Sequence, residues 1–526
     1  MLRALMATIV IAVVAAHGAW AQEPQHTHEV GTVTFPVSCN AEAQTRMHQA
    51  VASLHSFWFP EARKLFESVV QADPGCGIAY WGVAMSHFGN PMAGGSPADG
   101  QAAGWDAAQK ARSIGGRSER DRAYIAAAVA LFEDHGSLNN RARMVKYEAS
   151  MKQLVDRFPD DTEAQIFHGI FRVANAPPTD LTFSQQKDAA QVLTRLYRLQ
   201  PRHPGLAHYI IHAFDSPPLA MLALDAARQY AGIAPAAPHA LHMPSHIFTR
   251  LGYWDESIRT NRRSADLEPT PGGKAHPLDY MVYAYLQQGR DDAALAALKE
   301  IGGNITGEYI AGALGSYNAL AMPARYALER DDWKSAAALQ VPIAAAALEA
   351  VAVTHFAKGL GAARSGDVAL AKQEMATLQR IAGDLTARKD PYWPIVVDAQ
   401  RGAVAAWVAH AEGRHDEALR LAREAAETEE RVEKHPVTPG PLIPARELLG
   451  DILMAHKQPA EALAAYEATL KREPNRTRTL LGAARAARAA GRDDVAQTYY
   501  RNVIDLMDPK SMRPELAEAR TFVARN

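Results

Sequence analysis

The sequence predicts an all-α fold, an α-solenoid of antiparallel helix pairs, from three periodic signals. A turn motif recurs at Gly289-Arg290-Asp291-Asp292-Ala293-Ala294, Gly413-Arg414-His415-Asp416-Glu417-Ala418 and Gly491-Arg492-Asp493-Asp494-Val495-Ala496, with looser copies at Gly252 to Ser257 and Gly366 to Ala371. Glycine suits the turn, the acidic residues favour the start of the next helix, and the small residue lets two helices approach closely. Ala462 and Tyr466 recur 34 residues later as Ala496 and Tyr500. Pro74, Pro238, Pro269 and Pro474 each fall twelve residues after a small residue, Ala62, Ala226, Ser257 and Ala462. Strand-like alternation is confined to the short Thr32 to Val37 stretch.

A small residue, an aromatic and a closing proline at these offsets resemble the tetratricopeptide repeat. The resemblance implies a right-handed superhelix whose first helices line a concave face, and binding of a peptide or protein partner there. A 34-residue period, with allowance for loops, suggests about eight to ten pairs. Phe35-Pro36-Val37-Ser38-Cys39, Asp73-Pro74-Gly75-Cys76, His208 to Asp215, His239 to Gly252 and Pro439 to Gly450 together resemble a group of exported bacterial tetratricopeptide proteins. That likeness implies fold and export, and it carries no reaction or substrate.

From the N-terminus, residues 1–21 read as a cleaved secretory leader: a basic start at Arg3, an apolar run from Ala4 to Ala16, and Ala19-Trp20-Ala21 before Gln22. The run is shorter than the 18 or so residues that a membrane span requires, and no later stretch is as apolar. A periplasmic or secreted protein without a membrane span is expected. Residues 22–42 form an extension carrying Cys39, which with Cys76 makes up the whole cysteine complement. An oxidising compartment makes a disulfide between them the first expectation. Residues 43–206 are degenerate repeats with a Gly- and Pro-rich insertion at 89–100, 207–300 are histidine-rich repeats, and 301–526 are C-terminal repeats. In the first repeat, His55-Ser56-Phe57-Trp58 and Tyr80-Trp81 read as core.

Composition narrows the partners. The chain has 526 residues, 48% of them hydrophobic, and its 56 basic residues nearly balance 58 acidic ones. Neither global disorder nor a nucleic-acid footprint fits this. Walker A, dinucleotide, Gly-x-Ser-x-Gly and haem-attachment motifs are absent from the sequence, which removes support from the enzyme classes that carry them.

The histidines are the chemical signal. His203, His208, His212, His239, His242, His246 and His276 fall within 74 residues, where even spacing would give roughly three. His208 and His212 stand at i and i+4 with Asp215 at i+7, and His242 and His246 repeat the i, i+4 spacing, so each pair shares a helical face. Pro244 between His242 and His246 predicts either a kink or a helix that begins there. His208, His239 and His276 occupy equivalent positions on consecutive first helices, but a separation of about 10 Å between stacked pairs argues against all three sharing one ion. The expected site is therefore His208, His212, His242 and His246, with Asp215 as ligand or orienting group. His203, His276 and His435 precede proline and read as helix-entry positions. Zinc or copper suits imidazole ligation, and a polar pocket without metal fits the same residues. The functional readings are a groove-binding protein with a metal or polar recognition site, and a zinc or copper enzyme in which Asp215 or Glu447 handles protons.

Overall fold

A computed structural model describes residues 29–301, 313–341 and 347–525. The leader expected at residues 1–21 lies outside the described residues. Among those described, helices follow one another as antiparallel pairs from Ala41–His55 and Phe59–Ala72 to Thr477–Ala489 and Asp493–Leu506, closed by Pro514–Arg525. There are twelve such pairs, more than the eight to ten expected, because few long loops intervene. No strand occurs among the described residues: Thr32 to Val37 is extended but unpaired in a sheet, held by Thr32 N donating to Arg202 O at 2.9 Å. Its Phe35 is buried and stacks on Trp81 at 5.3 Å, which ties the extension to the first repeats. Cys39 and Cys76 form a disulfide with Cα atoms 5.5 Å apart.

The turn motif has one backbone signature. Gly252, Gly289, Gly366, Gly413 and Gly491 have φ of 68°, 65°, 95°, 75° and 72°. This left-handed region suits glycine, and the small residue five positions on (Ser257, Ala294, Ala371, Ala418 or Ala496) is fully buried. Phe57, Asp331 and Lys457 take the same conformation without glycine, at φ 52°, 54° and 58°, each five residues before a buried alanine: Ala62, Ala336 and Ala462. Helix starts are capped by side chains where the sequence supplies one, as at Asn40, Ser118, Asp161 and Asp367.

One apolar core runs from Val30 to Phe248 and a second from Tyr317 to Phe522, with smaller clusters between them. The Pro204–Phe214 helix crosses the expected 206/207 boundary inside the first core, so the histidine-rich repeats continue the N-terminal ones. The insertion is also shorter than 89–100, since Pro91–Ala93 forms a 3-10 turn and Ala98 begins the next helix.

The C-terminal repeats return to the histidine-rich ones. Trp254 Nε1 donates to Asn475 O at 3.0 Å, Thr477 N to Gln287 Oε1 at 3.0 Å, and Asp508 N to Gln288 O at 2.8 Å. Ahead of the Ala445–Ala455 helix, an irregular segment crosses the first helices of several pairs. Its carbonyls at Val437, Thr438 and Pro441 accept from Asn318, Tyr280 and Arg325 at 2.7, 3.1 and 3.1 Å. Among the described residues, no helix is long and apolar enough to cross a membrane.

Candidate metal centre

Three consecutive first helices carry the cluster. Pro204–Phe214 holds His208 and His212 and ends at Asp215, and Pro271–Gln287 holds His276. Between them the chain forms two short helices, Pro238–His242 and Pro244–Arg250, broken at Met243 because Pro244 has no N–H to give. Both expected features are present, since the helical path is interrupted at Met243 and a helix begins at Pro244, with His242 ending the first piece and His246 inside the second. Gly205 lets the first of these helices sit against His55, since a Cβ there would lie 2.6 Å from His55 Nδ1.

The expected four-histidine site is divided. His208, His212 and His239 converge as one triad and His242, His246 and His276 as another, each with its nitrogens within 4.8 Å of one another. Each triad takes an i, i+4 pair from one helix and the histidine at the equivalent position of the next. The separation of helix axes does not prevent this, because side chains span the gap: His208 Nε2 and His239 Nε2 are 3.2 Å apart. His276 is likewise no helix-entry residue, as it lies inside its helix with its ring centroid 4.3 Å from that of His242. The triads adjoin, with centroids 6.0 Å apart for both His212–His246 and His239–His242.

Hydrogen bonds on the outer ring nitrogens set the tautomers. His208 Nδ1 donates to His55 O at 2.7 Å. His242 Nδ1 faces Asn261 Oδ1 at 2.6 Å, and the amide cannot turn over because its Nδ2 donates to Ser257 O at 2.8 Å. His246 Nδ1 donates to Asp215 Oδ2 at 2.8 Å. The Tyr280 hydroxyl stands farther from Nδ1, at 3.4 Å, and has the Thr438 carbonyl nearer at 3.1 Å. Burial raises the Asp215 carboxyl, but Lys434, His246 and Arg250 overcome this and hold it well below the usual range, so it is an anion that only accepts. Lys434 Nζ and Arg250 Nε reach it at 2.9 and 3.1 Å.

With Nδ1 protonated on both rings, neutral His242 and His246 turn bare Nε2 lone pairs toward each other across 3.0 Å. Burial, with the neighbouring His246, lowers the pKa of His242 far; burial also lowers that of His246, although Asp215 opposes it, and both shifts disfavour an imidazolium. Two nitrogens bound at about 2.0–2.1 Å to a tetrahedral ion stand roughly 3.3 Å apart, so a cation fits where a second lone pair does not. His212 has no hydrogen-bond partner at either ring nitrogen, nor has His276 at Nδ1, although both are buried. Burial holds His208, His212, His239 and His276 well below the normal histidine range, which leaves them neutral.

Phe57 covers the first triad, with its ring 4.4 Å from His208 and 5.3 Å from His239. A bulky residue in the left-handed region is uncommon, and here the turn aims the ring at the site. A cavity of about 410 Å³ reaches the cluster at His212 and Asp215, and Lys434, His435, Tyr392 and Trp393 line its wall.

Other titratable groups have separate roles. His203 caps its helix by accepting from Leu206 N, as expected of an entry position, and it also pairs with Glu163. Glu163 accepts from His55 and His203 at 2.8 and 2.9 Å, and His55 Nδ1 meets Tyr209 OH at 2.9 Å, so this buried group is satisfied without an ion. Glu447 is not a proton carrier for the cluster: it is buried against Arg476, Arg478 and Thr479, and these arginines overcome burial to bring it to about 2. His410, His415 and His456 form a separate, more exposed group, with His410 Nδ1 2.9 Å from His456 Nε2.

The recurring turn, the buried small residue and the stacked pairs make the chain a tetratricopeptide-type helical solenoid. No family model matches the sequence, and no curated protein matches it. Among solved structures it is similar to human IFIT1 in complex with PPP-AAAA, at 10% identity over 78% of this chain and 87% of that one with a TM-score of 0.40. It is also similar to the Cut9 and Hcn1 assembly of the APC/C, at 11% identity over 93% and 77% with a TM-score of 0.37. Yeast Tom70 aligns at 12% identity over 92% and 95%, with a TM-score of 0.28. Likenesses at these scores add nothing about the site, which rests on the chain's own residues.

Proposed function

We propose that this chain is a helical-repeat metalloprotein whose buried histidine cluster holds an imidazole-bound transition metal, zinc or copper. The observation that carries the reading is the 3.0 Å contact between His242 Nε2 and His246 Nε2, two nitrogens left bare by the groups bonded to their Nδ1 atoms. His276 completes three ligands, and Asp215 and Asn261 orient two of them, the arrangement by which proteins fix a ligating tautomer. A periplasmic or secreted setting belongs to the same proposal and is supported by the Cys39–Cys76 disulfide.

Metal analysis tests the reading on protein purified without a histidine tag and carrying His410→Ala and His456→Ala to silence the exposed group. Metal should be retained through dialysis in this background, and adding His242→Gln and His246→Gln should remove the ion that this pair holds and lower the content accordingly, with helical circular dichroism unchanged. A folded parent that takes up neither zinc nor copper would leave a shared proton as the only bridge and overturn the proposal.

A peptide or protein partner on the concave face is the second reading. It is supported by the bonds that Asn318, Tyr280 and Arg325 make to carbonyls of residues 437–441, which hold irregular backbone against first helices. Because the chain's own segment fills that stretch, a partner would have to use the face left open beside it.

A further inference from the structure

We infer that His208, His212 and His239 form a second metal site beside the first, and that its ion is the one able to take a small anion, hydroxide above all, from the cavity at His212. The inference rests on the metal reading of the His242, His246 and His276 triad and extends it to a two-ion centre.

Three observations point to a second ion. The Nδ1–H of His208 is committed to His55 O, so its Nε2 offers a lone pair toward His239 at 3.2 Å. The buried His212 has no protein partner at either nitrogen, a deficit that a ligated ion would remove. The triad also repeats the other in register, which is how a repeat array would build two like sites side by side.

The triads differ in access. His242 and His246 are 1% exposed, whereas His212 and Asp215 border the cavity. Three protein ligands with a side open to solvent leave room for an exchangeable fourth ligand. Charge favours an anion there. The six imidazoles are neutral, and the carboxylate bonded to the cluster, Asp215, is paired with Lys434 and Arg250, while Asp180, Glu349, Asp390 and Glu433 lie elsewhere on the cavity wall. An ion held by these imidazoles would therefore have no anionic ligand from the protein, and water bound to it would release a proton to solvent in the cavity and remain as hydroxide.

Cobalt(II) with azide provides the test, because azide is a small anion and cobalt reports changes in coordination by visible absorption. In the His410→Ala/His456→Ala background the metal-free chain should take up roughly two cobalt ions, and azide should shift the spectrum. Adding His208→Gln and His212→Gln should halve the cobalt content and abolish the azide shift. Adding His242→Gln and His246→Gln should halve the content but preserve the shift, with circular dichroism confirming that each variant is folded. A single ion per chain, removed only by the His242/His246 changes and indifferent to azide, would overturn the second site while leaving the proposed function intact. A folded parent that takes up no cobalt would overturn both.

Discussion

The tautomers of His242 and His246 are set by one carboxylate and one amide. Asp215→Asn would replace an anion that only accepts with a group that can also donate toward His246, and it would strand the buried Lys434 and leave Arg250 its longer contacts to Glu433 and Glu473. Metal affinity should fall by about 10- to 100-fold, the usual cost of losing an orienting group, as read by chelator competition. Stability should fall by about 3–5 kcal/mol from the broken buried pair, as read by urea unfolding. Asn261→Leu isolates the orienting effect, since it weakens metal binding without stranding a charge. At Glu163, His203 and His55 overcome the effect of burial and hold the carboxyl at about 2. A carboxylate depressed on folding stabilises fully above its unfolded value, and the benefit is lost as pH falls from about 4.5 towards 2. That shift amounts to about 3 kcal/mol, so Glu163→Gln should show a flatter decline of stability than the parent across this range. Of these partners Asp215 was legible in the sequence, as the carboxylate at i+7 from His208, whereas Asn261, Lys434 and the His55 carbonyl lie outside the histidine spacing. The split into two triads was nearly legible: His239 and His276 were already in register with His208, and the axis separation that keeps all three from one group still lets an imidazole reach the next helix.

At the scale of helices and turns, the glycine pattern predicted its own copies and missed those built without glycine. Phe57, Asp331 and Lys457 hide the motif because their identity says nothing of a left-handed turn. Their substitution by glycine should separate backbone from side chain. Lys457→Gly should relieve a conformation costing about 1–2 kcal/mol and, after glycine's own entropy loss, raise stability by up to about 1 kcal/mol. Phe57→Gly makes the same backbone change but removes a ring packed on His208, His212 and His239. It should destabilise by about 3 kcal/mol or more and weaken metal retention at the first triad. Opposite signs in chemical denaturation would establish that Phe57 is kept for what its ring covers. Pro244 was read correctly as a local disturbance, since a missing N–H is a property of the residue itself.

At the scale of the whole molecule, periodicity predicted a solenoid but not its return upon itself. The contacts of Trp254 with Asn475, Gln287 with Thr477, and Lys434 with Asp215 join residues about 190 to 220 apart in sequence, which no local pattern encodes. That return brings Lys434 and residues 437–441 to the histidine repeats and makes one wall of the cavity at His212. The first helices, which the tetratricopeptide resemblance implies are open along their length, are here partly covered by residues 437–441 of the chain itself. The central claim is that a metal, and not a proton, sits between His242 and His246. X-ray absorption at the metal edge of the protein lacking the exposed histidines tests it most directly. The account predicts a nitrogen shell at about 2.0–2.1 Å with the outer scattering of imidazole rings in protein that also carries His208→Gln and His212→Gln, and its loss when His242 and His246 are changed to glutamine as well. A shell of oxygen alone, or folded protein without bound metal, would contradict it.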